Sequence, residues 1–372
     1  MTKSKVIIVG AGPAGIGIAS MLSQINMDYL VLEKKQIGTS FLEWPENMEM
    51  ITPSFPSNAF GQMDLNSICD ATSPAFSFNK EHLTGKEYAQ YLLLVAAYNE
   101  LNVEMDTEVQ NVEQINDDWL IETNQGDYQC QYLIWATGEF QNPQIKNIKG
   151  SEYCTHSSLI KAPSNLQDDE YIVIGGYESG VQIAAELIKN DKKVTIINPS
   201  KIDQIDTSDP SRVLSPYTFV KYNEMKESPN YTEVVGEVES IDMDNYTFLI
   251  QLKDKSIIKT EQNPICATGF SMVQKPIEKH ITFRPDGFPL LNEETDEFYD
   301  KNNFYLSGPS VRHDDHIFCF IYKFRQRFGV IVEDILSKEM YNVNDIVSLV
   351  TDWKRNGMYL SDLSCCDEEC VC

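Results

Sequence analysis

Two glycine-rich stretches carry the chemistry this chain could do. KVIIVGAGPAGIGIA at 5–19 places Gly10, Gly12 and Gly15 in G-x-G-x-x-G order, and YIVIGGYESGVQIAAEL at 171–187 returns to the theme with Gly175, Gly176 and Gly180. In such a stretch the first glycine makes a tight turn, the second lets the backbone approach a pyrophosphate, and the third lets helix and strand pack closely. The helix that follows points free N–H groups and a partial positive charge at the phosphates. Two such sites in one chain would hold a flavin and a nicotinamide dinucleotide together, so that a hydride could pass between them.

The elements that must position these residues are legible around them. Val6 to Val9 is a short apolar run that reads as a buried parallel strand. A helix through 16–24 and a second strand, Tyr29 to Leu32, follow, ending at Glu33, the acid expected to bind a ribose hydroxyl. In the second copy Tyr171 to Ile174 is the strand, and Tyr177 stands at the middle glycine position, where a side chain would crowd the pyrophosphate. The next strand, Lys193 to Ile197, ends at Asn198 instead of an acid. Loss of that acid removes repulsion against a 2′-phosphate, and Lys201 lies close by, which favours NADPH with NADH as the alternative. A second copy that keeps the fold but binds no nucleotide is the competing reading of Tyr177.

The 372 residues can bury a large core and suggest two domains. A formal net charge of −26 argues against nucleic acid and anionic membranes as partners. The longest apolar stretches, such as YLLLVAA at 91–97, are too short to span a bilayer. The N-terminus runs directly into a strand with no signal peptide, so a cytoplasmic location and a reducing environment are expected for the nine cysteines. The assembly is left open, with a homodimer among the alternatives.

Along the chain each half carries a glycine stretch early and Ala-Thr-Gly late, at 136–138 and 267–269. The sequence therefore reads as an α/β protein of two Rossmann-like dinucleotide-binding domains, the second inserted into the first. Expected spans are 1–165 for the first part of the outer domain, 166–270 for the inserted NAD(P)H domain, 271–345 for the return, and 346–372 for a C-terminal helix and Cys-rich tail. A helix is expected near 85–99, a long one near 317–337, and 199–217 reads as an excursion without periodicity. Lys323, Arg325 and Arg327, interleaved with aromatics, would either neutralise cofactor phosphates or form a solvated face. In 313–316, His-Asp-Asp-His reads as a loop and helix start, with Asp315 as a cap, before a metal cluster.

The combination resembles the flavoproteins with two dinucleotide-binding domains, and within them the flavin-containing monooxygenases and CzcO-like flavoproteins, over residues 5–340. The resemblance implies FAD at the first fingerprint and NADPH at the second. It implies cofactor contacts from Gly10, Gly12, Pro13, Ala14, Gly15, Glu33, Lys34, Val109, Ala136, Thr137 and Gly138. Gly308 matches the glycine that approaches the flavin's ribityl-phosphate chain, followed by Pro309. For the nicotinamide it implies Gly175, Gly176, Tyr177, Glu178, Ser179, Gly180, Asn198, Thr268 and Gly269. MEMITPSFPSN at 48–58 resembles the segment passing along the flavin ring, which makes Asn58 a catalytic candidate. In 148–163 the His156-Ser157 pair fits the monooxygenase signature, whereas its F-x-G portion and final aromatic have no counterpart.

Cys69, Cys130, Cys154, Cys266 and Cys319 are isolated in sequence and read as small buried hydrophobes rather than a C-x-x-C redox pair. The tail differs, with Cys365, Cys366, Cys370 and Cys372 crowded into DLSCCDEECVC. Clustered thiols favour soft, thiophilic metals or metalloids, while the neighbouring Asp367, Glu368 and Glu369 are expected to disfavour thiolates. The ending is similar to the C-terminal arm of mercuric reductases and to flavoproteins encoded beside arsenic-resistance genes. The expected activity is an NADPH- and FAD-dependent monooxygenase that uses molecular oxygen on a soft small-molecule nucleophile (sulfur, nitrogen or arsenic(III)). The alternatives are a thiol/disulfide or metal(loid) reductase using Cys365 and Cys366, and a flavin-bearing sensor or metal-binding protein without turnover.

Overall fold

The computed structural model describes residues 1–46, 48–55, 63–145, 148–203, 207, 209–272 and 275–363. They divide into two compact units, one of Met1–Leu42, Thr52–Glu139 and the chain from Met272 onward, the other of Glu43–Ile51 and Phe140–Ser271.

The first unit is built on a five-stranded sheet in the order Phe304–Leu306, Tyr132–Trp135, Val6–Val9, Tyr29–Leu32, Val103–Glu104. Every neighbouring pair is parallel. Val6, Ile7, Ile8 and Val9 are all buried, as a strand covered on both faces requires. Helix Pro13–Gln24 begins with Pro at its first turn, which suits the fixed φ of the ring, and Gly17 lets the Phe328 ring approach so closely that an added Cβ would stand 2.2 Å from it. Helix Gly85–Tyr98 opens with a full capping box between Thr84 and Glu87. A four-stranded sheet orders Thr2–Lys3, Gly126–Cys130, Asp118–Thr123, Val109–Ile115.

The second unit repeats the scheme. Its parallel five-stranded sheet runs Tyr231–Val235, Lys193–Asn198, Glu170–Ile174, Ile265–Cys266, Thr155–His156. Residues alternate between faces along the central strand: Tyr171 and Val173 pack with Val181, Ala184 and Leu187 of helix Glu178–Lys189, whereas Ile172 and Ile174 pack with Ile241, Phe248, Ile250 and Leu252 of an antiparallel three-stranded sheet. In both units the glycine strand is central, its next strand lies on one side and the Ala-Thr-Gly strand on the other. Only the fifth strand differs in origin. It follows in sequence in the first unit and precedes in the second.

That difference moves the inner boundary. The sequence places it at 165, but residues 140–165 group with the second unit because Thr155–His156 pairs with Ile265–Cys266 and closes that sheet. Residues 43–51 join it too, with the Glu46 N–H donating to Lys161 O at 2.7 Å. The helix expected as one piece near 317–337 is broken into Ile321–Phe324, a 3-10 turn at Arg325–Arg327, and Phe328–Lys338. Both arginines are pulled inward: Arg325 donates to Ser67 O at 2.7 Å, and Arg327 donates to both Asp296 oxygens at 2.9 and 3.0 Å. They are therefore internal anchors rather than a solvated face. Helix Val343–Arg355 is the last regular element among the described residues. Among the described residues no helix is long and apolar enough to cross a membrane.

Candidate functional site

Each unit presents a glycine loop at the carboxyl ends of its parallel strands, where open α/β sheets bind ligands. In the first, the Gly10 N–H donates to Leu32 O at 2.8 Å and the Ala136 N–H to Val9 O at 2.8 Å. Gly10 turns at φ +105°, and a Cβ there would lie 2.7 Å from Ala136 O. A Cβ at Gly15 would lie 1.9 Å from Gly10 O, so helix and strand meet as the motif demands. At Gly12, the residue that caps the helix, an added Cβ meets nothing within 4 Å. That open approach, over a helix N-terminus with no acid in its first turn, fits a pyrophosphate.

Glu33 braces this loop. One carboxylate oxygen accepts from Ala11 N at 2.8 Å, the other from Lys35 N at 2.9 Å. Burial raises its pKa, opposed by those two N–H donors. Lys34 is exposed and pairs with Glu108 at 2.7 Å. Val109 is buried at the start of its strand. Thr137 and Gly138 turn away from the strand end at φ +66° for Gly138, and Gly308, at φ +120°, lies beside Ala14 so that its Cβ would be 3.7 Å from the alanine methyl. Pro309 follows, half-buried. Gly10 to Gly15, Ala136 to Gly138 and Gly308 thus gather at the ends of three adjacent strands.

The second loop copies the first almost atom for atom. The Gly175 N–H donates to Ile197 O at 2.9 Å and the Ala267 N–H to Ile174 O at 2.8 Å. Gly175 has φ +106° with Ala267 O 2.4 Å from its Cβ position, and the Gly180 Cβ position is 1.9 Å from Gly175 O. Asn198 takes the place of Glu33: its Oδ1 accepts from Gly176 N at 2.9 Å, and its amide donates to Ser200 O at 2.8 Å. A neutral side chain does the bracing here, because one acceptor suffices. Gly176 is needed for this, since a Cβ would meet Ile202 at 2.7 Å and Asn198 Cγ at 3.1 Å.

Tyr177 occupies the Gly12 position with the same extended backbone, φ −106°, ψ −163°, against −86°, −169°. Its hydroxyl donates to Val213 O at 2.7 Å. Glu178, in the first helical turn, directs its carboxylate to the Ser215 N–H and to the hydroxyls of Ser215 and Thr218. Burial raises its pKa, against those donors. Ser179 is half-buried. Thr268 donates to Gln144 O, and Gly269, at φ +84°, offers its carbonyl to His156 Nε2 at 3.0 Å. His156 also accepts from Ser158 N at 3.2 Å and is held neutral by burial, so it fixes the turn at 269.

Several expected residues fall elsewhere. Asn58, Cys365, Cys366, Cys370 and Cys372 lie outside the described residues. His313 is fully buried, with Nε2 2.6 Å from Asp296 Oδ1, and the turn at 314–315 closes a two-stranded hairpin rather than starting a helix. Among the described residues no group of three metal-ligating side chains occurs.

Other residues were not anticipated. Ser307 Oγ and Trp135 Nε1 are buried without a hydrogen-bond partner at the ends of adjacent strands, beside Gly308 and Ala136. Glu139, directly after Ala-Thr-Gly, has its pKa raised by burial against the attraction of Arg312, and Ser310 Oγ lies 3.4 Å from it. The position of Ser307 before Gly308 and of Glu139 after Gly138 was the available signal. Cys154 and Cys266, isolated in sequence, bring their thiols within hydrogen-bonding reach of each other.

The pyridine nucleotide-disulphide oxidoreductase family matches residues 7–308. Bacilliredoxin reductase Bdr of Bacillus subtilis is 25% identical over 344 residues, 91% of this chain and 99% of that protein. Flavin-containing monooxygenase FMO GS-OX4 of Arabidopsis thaliana is 26% identical over 223 residues, 51% of this chain and 48% of that protein. Among solved structures, bacillithiol disulfide reductase Bdr (YpdA) from Staphylococcus aureus superposes with a TM-score of 0.74 at 21% identity, covering 91% of this chain and 100% of that one. The chain belongs to the pyridine nucleotide-disulphide oxidoreductase family and is an FAD-dependent oxidoreductase.

Proposed function

We propose that the chain is a disulfide reductase that takes electrons from NADPH. The observation that carries this is the full-length correspondence with bacilliredoxin reductase, 99% of that protein, where the monooxygenase relative is matched over 48% of its length. Reduction of a disulfide is thereby preferred to oxygenation of a soft nucleophile by molecular oxygen. The balance is one NADPH and one proton consumed per disulfide, whose S–S bond breaks to give two thiols. FAD, when bound, would supply the two-electron relay between nicotinamide and sulfur.

The chain's own contributions divide between its units. The first loop, with its open approach at Gly12, would hold the FAD pyrophosphate, and Glu33 would brace that loop. Ser307 Oγ and Trp135 Nε1 are the unpartnered buried groups at these strand ends that FAD would satisfy. The second loop would hold NADPH, with Asn198 placing no charge against a 2′-phosphate. Glu139, whose burial favours the protonated form, supplies a proton to the leaving thiolate. Cys365 and Cys366 exchange with the substrate disulfide, which belongs to a small thiol compound or a small dithiol protein.

The test is anaerobic NADPH consumption in the presence of bacillithiol disulfide, glutathione disulfide or an oxidised bacilliredoxin. Disulfide-dependent turnover with two thiols formed per NADPH is expected, and truncation after Leu363 should abolish it while leaving NADPH oxidation by oxygen. NADPH consumption that follows oxygen alone, with an oxygenated product, would overturn the proposal in favour of the monooxygenase.

A further inference from the structure

Cys154 and Cys266 are 112 residues apart in sequence but adjacent in the second unit. Strands Thr155–His156 and Ile265–Cys266 pair in parallel with Ile265 opposite Thr155 and Cys266 opposite His156. Cys154, one residue before its strand, therefore shares a face with Cys266 on a diagonal, as side chains two apart do on a pleated sheet. Both belong to the same apolar cluster with Ile172, Ile174, Ile241 and Phe248, and their sulfurs hydrogen-bond. Cys154 is half-buried, Cys266 fully buried.

Cys266 is also the last residue before the nucleotide loop's floor. The next residue, Ala267, puts its carbonyl 2.4 Å from the Gly175 Cβ position, and its N–H donates to Ile174 O at 2.8 Å. A displacement of Cys266 therefore reaches the turn at Gly175 through one peptide.

We propose that Cys154 and Cys266 form a reversible disulfide under peroxide, and that its closure weakens nucleotide binding at the Gly175–Gly180 loop. Cys154, the member open to solvent, attacks a peroxide oxygen. The O–O bond breaks, one water leaves, and a sulfenic acid remains. Cys266 then attacks the Cys154 sulfur, the S–O bond breaks and a second water leaves. Two thiols lose two hydrogens, and hydrogen peroxide is reduced to two waters. The contact between the sulfurs lowers the Cys266 thiol and raises that of Cys154, so the first step rests on the solvent access of Cys154 and the second on the Cys266 thiolate. A dithiol restores the pair by exchange.

The coupling to nucleotide rests on the second unit being the NADPH site, whereas the bond itself does not. The full-length protein, reduced and then treated with hydrogen peroxide, is digested without reductant and mapped by mass spectrometry, in parallel with NADP+ titrations of both forms. The expected result is a linked 154–266 peptide and about tenfold weaker NADP+ binding, reversed by dithiothreitol and absent in C154A and C266A. Circular dichroism verifies that each variant is folded, and two independent variants guard against one that is not. No linked peptide from folded, oxidised protein overturns the bond. A linked peptide with unchanged affinity overturns the coupling. Reduced protein that binds no NADP+ removes the nicotinamide assignment of the second unit, and the coupling with it, while the peptide map still decides the bond.

Discussion

Gly12 and Gly15 stand three residues apart, yet replacing each with alanine should break different things. At Gly15 the new Cβ would lie 1.9 Å from Gly10 O, where ordinary contact begins at 3.4 Å, and both partners are backbone. Helix Pro13–Gln24 must then lift from strand Val6–Val9. Overpacking of this kind costs about 1–3 kcal/mol, and the upper end applies because no side chain can turn aside. Alanine returns about 1 kcal/mol of helix propensity, leaving a net loss near 2 kcal/mol and a melting temperature lower by about 5 °C. At Gly12 nothing lies within 4 Å and the backbone, φ −86° and ψ −169°, suits any residue. Gly12→Ala should leave the apoprotein's melting temperature unchanged or raise it slightly, by up to about 1 kcal/mol through the unfolded chain. The methyl instead stands in the approach to the pyrophosphate, so FAD affinity should fall about tenfold or more. The assay is calorimetric melting of flavin-stripped protein beside an FAD titration by flavin fluorescence. A Gly12→Ala protein that melts early, or binds FAD as the parent does, refutes the assignment of this glycine to the cofactor.

Three other substitutions probe the rest of the site. Asp296→Asn should destabilise the fold by about 3 kcal/mol, since it leaves Arg327 buried without its charge partner; denaturant unfolding measures it. Burial pushes the Asp296 pKa up, but Arg327 and then His313 overcome this and hold it low, so the stability it contributes is present above the unfolded pKa near 4 and lost as pH falls further. In acid titrations the parent should therefore lose its advantage over the variant below about pH 4. Asn198→Asp keeps the acceptor for Gly176 N but adds charge, so the preference for NADPH over NADH should fall about tenfold in steady-state kcat/KM, and an unchanged ratio would remove Asn198 from cofactor selection. Glu139→Gln should lower kcat with a disulfide about a hundredfold and flatten the alkaline limb of its pH profile, without changing FAD content. A flat loss across pH would make Glu139 a structural residue.

Local pattern carried far. Four-residue apolar strands, glycines at fixed spacing and the acid at 33 depend on neighbours in sequence, so strands Val6–Val9 and Tyr29–Leu32 stood where the residues placed them. The equivalence of Asn198 and Glu33 was visible as a position but not as a function, because bracing needs an acceptor and the sequence only displayed a missing charge. The partner of Tyr177 was not legible, since the carbonyl of Val213 that its hydroxyl meets lies far along the chain. The burial of Arg325 and Arg327 was hidden for the same reason: their acceptors, Ser67 O and Asp296, are supplied by distant segments. The inner boundary was misplaced because the fifth strand of the second sheet precedes its glycine loop, whereas that of the first sheet comes after it.

The order of strands also sets an order of birth. The first sheet cannot be finished until Phe304–Leu306 leaves the ribosome to pair with Tyr132–Trp135, and Arg327 must emerge after that to meet Asp296. The second unit, complete by Ser271, can fold while the first still waits with strands Val6–Val9, Tyr29–Leu32 and Tyr132–Trp135 partly uncovered. At about 5–20 residues per second that wait is on the order of ten seconds or more. The earliest-made nucleotide loop is thus the later one to mature, and a chaperone that shields apolar strands would find its client in the nascent amino-terminal half.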